Sequence, residues 1–350
     1  MTRGIKAKEN RKVTEMEKLT IVITTYNLEE YIEQAVRSIL MQKVDFEYKI
    51  RISDDCSTDR TINIIEKLQK QYPDKIEILV SEVNRGSLKN SNKAFSGVTS
   101  QYIAFLDGDD FWIGDEFLQK KIDFLDCHPE FTMCGGDTEI FYSSDGSKEK
   151  VINSSEDCIY DFQDYLTGKM PYVHTSSIVL RNCIYQDGLP QTYYDVEDTF
   201  ENCAVRGEEF RFMTHFERGK LKVYADVMSC YRIHERGIWQ GSSLTKRFIE
   251  TAIARNFFDK YYANIESDFF RRTCLSAYRD LMRNLVDRQI YNNYFLTEEE
   301  TWLVTEYLKD IAKRKLVWKD NEIRYILQKQ EPEVDIIRRI WRRFRKCFVH

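Results

Sequence analysis

The chain has 350 residues, more than an average domain and enough for one large α/β domain with an appendage. The 14 glycines and 5 prolines together make up less than half of the share that these two residues usually have in a protein, which is about 12 %. Collagen-like and low-complexity disordered chains are therefore excluded. The formal net charge is −5, and this balance gives no general reason to expect nucleic acid as a partner.

The cysteines and the apolar residues indicate the cellular compartment. Nine cysteines are scattered without a CxxC pair, and no secretory signal precedes them, a pattern typical of reduced thiols in the cytoplasm. No run of about 18 apolar residues is present, so no membrane-spanning segment is expected. We therefore expect a cytoplasmic protein.

The charge is divided unevenly along the chain. Residues 336–350 hold six Lys or Arg and no acid, which leaves a formal charge of −11 on the remainder. In this tail the basic residues alternate with apolar ones, a cationic amphipathic pattern that fits an anionic membrane surface on the inner face of the cell membrane. A solvated helix end or a partner-docking segment is the alternative. The polar residues 1–18 are predicted to form a flexible leader.

Strand-like and helix-like segments alternate through the first 135 residues, as expected for a parallel sheet with helices on its faces. Asn27 is the expected cap of the first helix. The predicted strands are 19–24, 48–53, 76–81 and 102–107, and the helices that follow include 58–72 and 115–127.

Beyond residue 130 the pattern is less regular. Strands are predicted at 176–180 and 220–225, and helical periodicity covers 197–217. From about residue 245 the spacing of Phe, Tyr, Leu and Ile predicts helices. We therefore expect a domain at 19–240, a helical region at 241–335 and the tail at 336–350.

A first acidic motif is ISDDCSTDRT, residues 52–61. Asp54 and Asp55 end a buried strand, and in open α/β sheets ligands bind beyond the carboxyl ends of the strands. A carboxylate at this point can accept hydrogen bonds from a base or a ribose. The alternative is an ordinary turn with a helix cap, in which Asp and Ser are common.

A second acidic motif is YIAFLDGDDFW, residues 102–112, in which an apolar strand leads directly into Asp107, Asp109 and Asp110. Like charges held so close repel each other, so a divalent cation is the natural compensation. Oxygen ligands favour Mg²⁺ or Mn²⁺. An Asp-x-Asp triplet arises by chance in an acidic chain, and its position at the end of an apolar strand is what favours a metal site.

Four segments occur in a fixed order: LTIVITTYNLEEYIEQAVRSIL, RISDDCSTDRT, VNRGSLKNSNKA and AFLDGDDFW. Together they resemble the nucleotide-diphospho-sugar glycosyltransferases of family 2 over residues 19–140. The resemblance implies the GT-A fold, a Rossmann-like α/β domain whose mostly parallel sheet is flanked by helices. It also implies the bacterial surface-polysaccharide type of this family.

The resemblance assigns residues to a donor site. Those implied to bind the nucleotide are Thr24, Thr25, Tyr26, Glu30, Asp54, Asp55, Asn84, Gly86 and Asp107. Of these, the Asp54 and Asp55 pair would read the base and ribose, usually of uridine. Asp107 and Asp109 match the acid pair that binds Mn²⁺ or Mg²⁺.

The second half of the chain resembles the family less closely. Counting back from Gly219, the catalytic carboxylate corresponds to Glu208, with Glu209 and Asp198 as alternatives. A carboxylate at a helix start is also explained by the helix dipole alone. Arg232 and His234 correspond to an element near the diphosphate, and a surface strand end with incidental polar groups is their other interpretation.

The implied activity is a metal-dependent, inverting transfer of a sugar from a nucleotide-diphosphate donor, with UDP-sugars favoured, to a hydroxyl of a glycan or lipid-linked acceptor. Two other classes stay open. Mg²⁺-dependent phosphohydrolases or phosphotransferases also place Asp-x-Asp after a parallel strand, although their nucleophilic Asp lies on the first strand, which here ends in Thr24, Thr25 and Tyr26. A protein that binds a nucleotide sugar without turnover is the third class.

Overall fold

The structure of the protein is a computed structural model, which describes residues 17–235, 237, 241–265, 268–291 and 295–313. Within these residues a ten-stranded sheet lies between two layers of helices. The strands are β1 (Leu19–Thr25), β2 (Tyr48–Asp54), β3 (Ile76–Val80), β4 (Tyr102–Asp107), β5 (Phe111–Trp112), β6 (Phe131–Tyr142), β7 (Lys148–Lys150), β8 (Cys158–Tyr160), β9 (Val179–Arg181) and β10 (Lys220–Ile233). The helices before β10 are α1 (Ile32–Leu40), α2 (Thr61–Gln71), α3 (Ser87–Phe95), α4 (Phe117–Cys127), α5 (Phe162–Leu166), α6 (Gln191–Val196), α7 (Asn202–Arg206) and α8 (Glu208–Phe216). Those after it are α9 (Leu244–Tyr261), α10 (Phe269–Tyr291) and α11 (Glu298–Lys313).

The first four strands confirm the parallel arrangement expected from the alternation of strands and helices. Their order across the sheet is β3-β2-β1-β4, and β1 pairs in parallel with both β2 and β4. This register places Thr25 opposite Asp54 and Thr24 opposite Asp107. The carboxyl ends of three strands, each followed by polar residues, therefore meet at one edge of the sheet.

The alternation of side chains along β1 explains why helices cover both faces. Leu19, Ile21 and Ile23 are fully buried in a cluster with residues of α1, α2 and α4, whereas Val22 belongs to a second cluster with residues of α3, α7 and α8. Because successive residues of a strand point to opposite faces, a continuous apolar strand needs a layer on each side.

The second half of the sheet is mixed. β9 runs antiparallel between β4 and β6, and β10 pairs in parallel with β6. β10 extends to Ile233, well beyond the 220–225 expected from the sequence, and its register with β6 shifts at three points. The strand expected at 176–180 begins instead as a 3₁₀ turn, Thr175–Ser177, and the strand itself is Val179–Arg181.

Two local predictions are corrected. Asn27 does not cap α1, whose N-cap is Tyr31; Asn27 has a left-handed φ of 52°, and its Oδ1 accepts a hydrogen bond from the amide of Thr58 at 2.8 Å. The helical periodicity at 197–217 corresponds to α7 and α8, which are separated by Gly207 in an extended conformation. Glu208 is consequently the first residue of a helix.

The C-terminal helices pack on the sheet domain and on each other. Phe257 and Phe258 of α9 share a cluster with Val205 and Phe210 of α7 and α8. A separate cluster joins α9, α10 and α11. The helical character expected after residue 245 is thus confirmed to residue 313, while the boundary near 240 stays a prediction. No helix in the described ranges is long and apolar enough to cross a membrane. The predicted tail 336–350, and the leader apart from residues 17 and 18, lie outside the described residues.

Lys121 of α4 is a buried lysine that makes the stability depend on pH. Its Nζ donates a hydrogen bond to the carbonyl oxygen of Ser177, and burial lowers the pKa of Lys121 from 10.5 to about 7. At a pH between these two pKa values, Lys121 is therefore protonated in the unfolded chain and neutral in the folded chain. The free energy of unfolding consequently rises with pH across this window, by at most about 1.4 kcal/mol per pH unit from this residue.

We expect Lys121→Met to remove this dependence. Denaturant unfolding between about pH 7 and pH 10 should show the variant gaining stability relative to the wild type as the pH falls. In addition, the variant should be less stable than the wild type by about 1–3 kcal/mol at every pH, because the Ser177 carbonyl loses its hydrogen-bond donor. Lys120→Met is the control, because Lys120 is exposed and pairs with Asp226 at 2.7 Å. A difference between Lys121→Met and wild type that does not change with pH would contradict the prediction.

Candidate active site

The metal motif predicted from the sequence forms a tight loop after β4. The amide of Asp110 donates to the carbonyl of Asp107 at 3.0 Å, and the amide of Gly108 donates to the carbonyl of Thr24 at 3.1 Å. A Cβ at Gly108 would lie 3.0 Å from Leu28 Cδ1 and 3.1 Å from the Thr24 carbonyl oxygen. Glycine is therefore the residue that lets this loop lie against the end of β1.

The carboxylates of this loop are crowded and only partly neutralised. Burial, then Asp109, then Glu208 raise the pKa of Asp107 to about 7. Burial followed by the charges of Asp109 and Asp107 also raises the pKa of Asp110, which is 1 % exposed. The loop thus holds more negative charge than the surrounding side chains balance.

Residues from the end of β10 hold the loop. Arg232 donates from its amide to Asp110 Oδ1 at 3.0 Å and from Nε to the carbonyl of Asp109 at 2.9 Å, and its Nη2 donates to Gln34 Oε1 at 2.7 Å. His234 lies with Nε2 2.9 Å from Asp109 Oδ2. The structure therefore brings the two candidate diphosphate contacts directly onto the metal motif.

Glu208 is the first residue of α8. Its Oε1 accepts a hydrogen bond from the Tyr172 hydroxyl at 2.8 Å. Burial and the Glu208 charge raise the pKa of Tyr172 well above its usual value, so the phenol remains a donor at neutral pH. The Tyr172 ring lies against that of His174, which is 4.0 Å from Asp110 Oδ2, so the start of α8 approaches the loop after β4, and the Glu208 charge contributes to the raised pKa of Asp107.

The two alternatives to Glu208 have other partners. Asp198 is 76 % exposed in its side chain and pairs with Lys89 of α3. Glu209 Oε1 accepts hydrogen bonds from Tyr165 Oη and Arg255 Nη1, which lie towards the C-terminal helices. Of the three carboxylates, Glu208 is the one whose negative charge contributes to the raised pKa of Asp107.

The Asp54 and Asp55 pair shapes two loops of the predicted nucleotide site. Asp54 is fully buried, and its oxygens accept hydrogen bonds from the amide and hydroxyl of Ser57. Asp55 accepts the amides of Arg85 and Gly86, both at 2.8 Å, and thereby joins the loop after β2 to the loop before α3.

The remaining candidate nucleotide residues lie around these loops. Asn84 Oδ1 accepts the Gly86 amide at 3.1 Å, and Gly86 has a left-handed φ of 87° at the N-cap of α3. The Oγ1 of Thr24 donates to Asp107 at 3.4 Å, whereas the Oγ1 of Thr25 is buried without a hydrogen-bond partner. Tyr26 and Glu30 are exposed beyond the end of β1. Their contacts with a nucleotide stay predictions.

The acids after β4 have the character expected of a site for Mg²⁺ or Mn²⁺. The Oδ2 of Asp110 is buried with no hydrogen-bond partner, and the loop carries the excess negative charge described above. In the described part of the chain no three His, Cys, Asp or Glu side chains are arranged to hold a metal by themselves. A bound cation would therefore take part of its coordination from other oxygens, such as donor phosphates and water.

Three site residues had no distinctive sequence signal. Tyr172 and His174 lie in an irregular stretch before β9, and the His174 ring is 4.0 Å from Asp110 Oδ2. Burial lowers the pKa of His174 to about 4, so its ring is neutral at pH 7. Arg211 of α8 is buried against Phe95 and Phe105, and its charge lowers the pKa of Asp107. No residue spacing predicts these contacts, because each joins segments distant in the chain.

Comparisons with known proteins agree with this fold. Residues 20–187 match the model of glycosyl transferase family 2. An uncharacterized protein of Mycobacterium tuberculosis (strain H37Rv) is 28 % identical over 234 residues, which cover 67 % of this chain and 64 % of the relative. The chain thus spans less than two thirds of that relative's length. The putative teichuronic acid biosynthesis glycosyltransferase TuaG of Bacillus subtilis is 34 % identical over 147 residues, 41 % of this chain and 55 % of TuaG.

A solved structure shows the same fold. The crystal structure of Staphylococcus aureus TarS in complex with UDP matches with a TM-score of 0.54, over 95 % of this chain and 93 % of the TarS chain, at 16 % identity. At this identity the likeness concerns the fold. Residues 20–187 of this chain therefore match glycosyl transferase family 2, and the whole α/β fold is similar to that of TarS, of the GT-A type.

Proposed function

We propose that the protein transfers a sugar from a nucleoside-diphosphate sugar to a hydroxyl group of a glycan or lipid-linked acceptor, with inversion at the anomeric carbon. The observation that carries this proposal is the approach of Glu208 to the acids after β4: its partner Tyr172 lies against His174, whose ring is 4.0 Å from Asp110 Oδ2, and the Glu208 charge contributes to the raised pKa of Asp107. A candidate base and a candidate diphosphate site thus lie close together, as a single displacement requires.

UDP-sugars are the favoured donors. The fold relative TarS was crystallised with UDP, and here Asp55 binds the loop that contains Asn84 and Gly86, next to the ends of β1 and β2. A role in cell-surface polysaccharide synthesis is supported by the name of TuaG, which refers to teichuronic acid biosynthesis.

In the proposed reaction the acceptor oxygen attacks the anomeric carbon from the face opposite the diphosphate. Glu208 takes the acceptor proton while the new C–O bond forms, and the electron pair of the breaking C–O bond leaves with the nucleoside diphosphate. An alcohol at neutral pH is a poor nucleophile, so a positioned carboxylate contributes about 10²- to 10⁴-fold. The Tyr172 hydroxyl holds one oxygen of Glu208 and leaves the other for the acceptor.

Asp107 and Asp109 would hold Mg²⁺ or Mn²⁺. When bound, such a cation supplies Lewis-acid stabilisation of the charge that gathers on the leaving diphosphate. Arg232 and His234 fix the position of Asp109 and lie at the same end of the site, where their charge or hydrogen bonds would also act on the diphosphate.

A phosphohydrolase is the second candidate function, and release assays separate the two classes. With Mn²⁺ and a panel of UDP-, GDP- and dTDP-sugars, the protein should release a nucleoside diphosphate from at least one donor and no phosphate from phosphomonoesters. Thermal-shift measurements on the same panel identify the donor. Phosphate release without nucleoside-diphosphate release would overturn the proposal, and binding without any release would indicate a nucleotide-sugar binding protein.

Asp109→Ala should abolish the metal-dependent release and the Mn²⁺-dependent part of the thermal shift with the donor. Its matched control is Asp115→Ala, which removes a nearby exposed carboxylate that pairs with Lys43 at 2.6 Å. The control should retain both responses. An Asp109→Ala variant with an unchanged Mn²⁺ response would contradict the assignment of the metal site.

Glu208→Gln should lower transfer by about 10²- to 10⁴-fold and leave the dissociation constant of the donor unchanged, because the amide keeps the shape of the side chain and loses only the base. Steady-state rates and donor titrations measure the two quantities. Asp198→Asn is the control and should transfer at the wild-type rate. Near-normal transfer by Glu208→Gln would show that the base lies elsewhere.

We further propose that the protein is cytoplasmic and associates peripherally with the inner face of the membrane through residues 336–350. A basic amphipathic segment binds anionic lipid through both its apolar and its charged side chains. In flotation with vesicles that contain anionic lipid, the full chain should float and a chain ending at residue 335 should not. Equal flotation of the two would reject a membrane role for the tail.

A further inference from the structure

Glu209 lies next to the proposed base and faces a different part of the molecule. Its Oε1 accepts hydrogen bonds from Tyr165 of α5 and from the guanidinium of Arg255, which belongs to α9 of the C-terminal helices. Glu208, one residue earlier, bonds to Tyr172 and adjoins the acids after β4. Successive helical residues point about 100° apart, so the first turn of α8 directs two carboxylates to two different sites.

Arg255 is buried, with 8 % exposure, and Glu209 is the carboxylate with which it forms an ion pair. Its guanidinium also lies over the ring of Phe258 at 5.7 Å. A buried guanidinium is costly without a partner, because its hydration is lost. The pair therefore fixes the distance between α8 and α9, at a point where Phe210 of α8 also packs edge-on against Phe257 and parallel to Phe258 of α9.

The first turn of α8 has few local restraints. The helix has nine residues, and its N-cap, Gly207, makes no side-chain capping hydrogen bond. Short helices are marginal by themselves and depend on tertiary contacts. The tertiary contacts made by the carboxylates of this first turn are those of Tyr172 with Glu208 and of Tyr165 and Arg255 with Glu209.

We propose that the Glu209–Arg255 ion pair is a positioning element that aims the Glu208 carboxylate at the acceptor, so that α9 of the C-terminal region takes part in the transfer reaction. This inference rests on the proposed function, in which Glu208 is the base. Glu209 itself acts through Glu208 and touches no substrate.

The pair also affects the electrostatics of the site. Four charged or titratable groups of the surrounding elements contact Glu208 or interact with its charge: Asp107, Arg211, Tyr172 and His174. Without Arg255, the negative charge of Glu209 is left uncompensated beside these groups. Without Glu209, the positive charge of Arg255 is left uncompensated. The two losses should therefore move the acidic limb of the pH–rate profile in opposite directions.

The test uses full-length Arg255→Met, Arg255→Lys, Glu209→Gln and the double variant, with Mn²⁺ and the best donor of the UDP-, GDP- and dTDP-sugar panel. Release of the nucleoside diphosphate is measured as kcat, donor KM and pH profile. Arg255→Met should lower kcat by about 10- to 100-fold with little change in KM and move the acidic limb to higher pH. Glu209→Gln should move it to lower pH, and Arg255→Lys should recover part of kcat.

A matched ion pair provides the control. Arg206 of α7 and Glu250 of α9 also join the sheet domain to the C-terminal helices, with Nη2 2.8 Å from Oε2, but neither residue belongs to the first turn of α8. Arg206→Met and Glu250→Gln should lower the thermal midpoint and leave kcat and the pH profile as in the wild type. If a single variant at Arg255 or Glu209 does not fold, the double variant removes both charges and should show the lower kcat with an unshifted acidic limb.

Three results would overturn the inference, and they are distinguishable. If Arg255→Met and Glu209→Gln keep the wild-type kcat and profile while Glu208→Gln is inactive, the pair has no positioning role and the proposed function stands. If Glu209→Gln loses the acidic limb and Glu208→Gln keeps it, Glu209 is the base. If the wild type releases no nucleoside diphosphate from any donor, the proposed function and the inference both fail.

Discussion

Crowding of negative charge at the end of β4 is the constraint on which the arrangement of the site depends. Asp107, Asp109 and Asp110 lie within four residues, and burial raises the pKa of Asp107 and Asp110. Such a loop keeps its shape only if surrounding groups donate hydrogen bonds to it. Arg232 supplies an amide and a guanidinium, and His234 supplies a ring nitrogen. The remaining excess of charge is what makes the loop suited to a divalent cation.

The long strand β10 meets this requirement because of its place in the sheet. It pairs with β5, which immediately follows the acidic loop, so that Ser229 lies opposite Trp112 and Cys230 opposite Phe111. The end of the strand then comes beside Asp109 and Asp110. A strand that ended at residue 225, as the apolar pattern indicated, would not reach the loop. Pairing with β6, in which Arg232 lies opposite Phe141 and Ile233 opposite Tyr142, together with the antiparallel pairing with β5, therefore extends β10 past residue 225 and brings Arg232 and His234 beside the loop.

Local sequence patterns determined the first half of the fold. The segments at 19–24 and 102–107 are strands because continuous runs of branched and apolar residues suit a sheet covered on both faces. The segment at 48–53 instead alternates, with Lys49 and Arg51 half-buried between buried residues. Asn27 shows where such reasoning stops. Asparagine is a good helix cap, yet its side chain bonds to Thr58, 31 residues away, because the loops after β1 and β2 lie side by side. The side-chain oxygen of Asn27 could accept a hydrogen bond either as a helix cap or in a loop contact. The pairing of β1 with β2 decides which of the two forms.

The sequence by itself determined the family, the α/β class, the carboxyl edge at which the candidate site lies and the acidic loop after β4, since each depends on residues close together in the chain. It favoured Glu208 as the catalytic carboxylate and left Glu209 and Asp198 as alternatives. The tertiary structure separated them by their partners: Tyr172 for Glu208, Arg255 for Glu209 and Lys89 for Asp198. The physical reason is that the environment of a carboxylate depends on the residues that folding brings against it, and these come from elements that no sequence spacing connects.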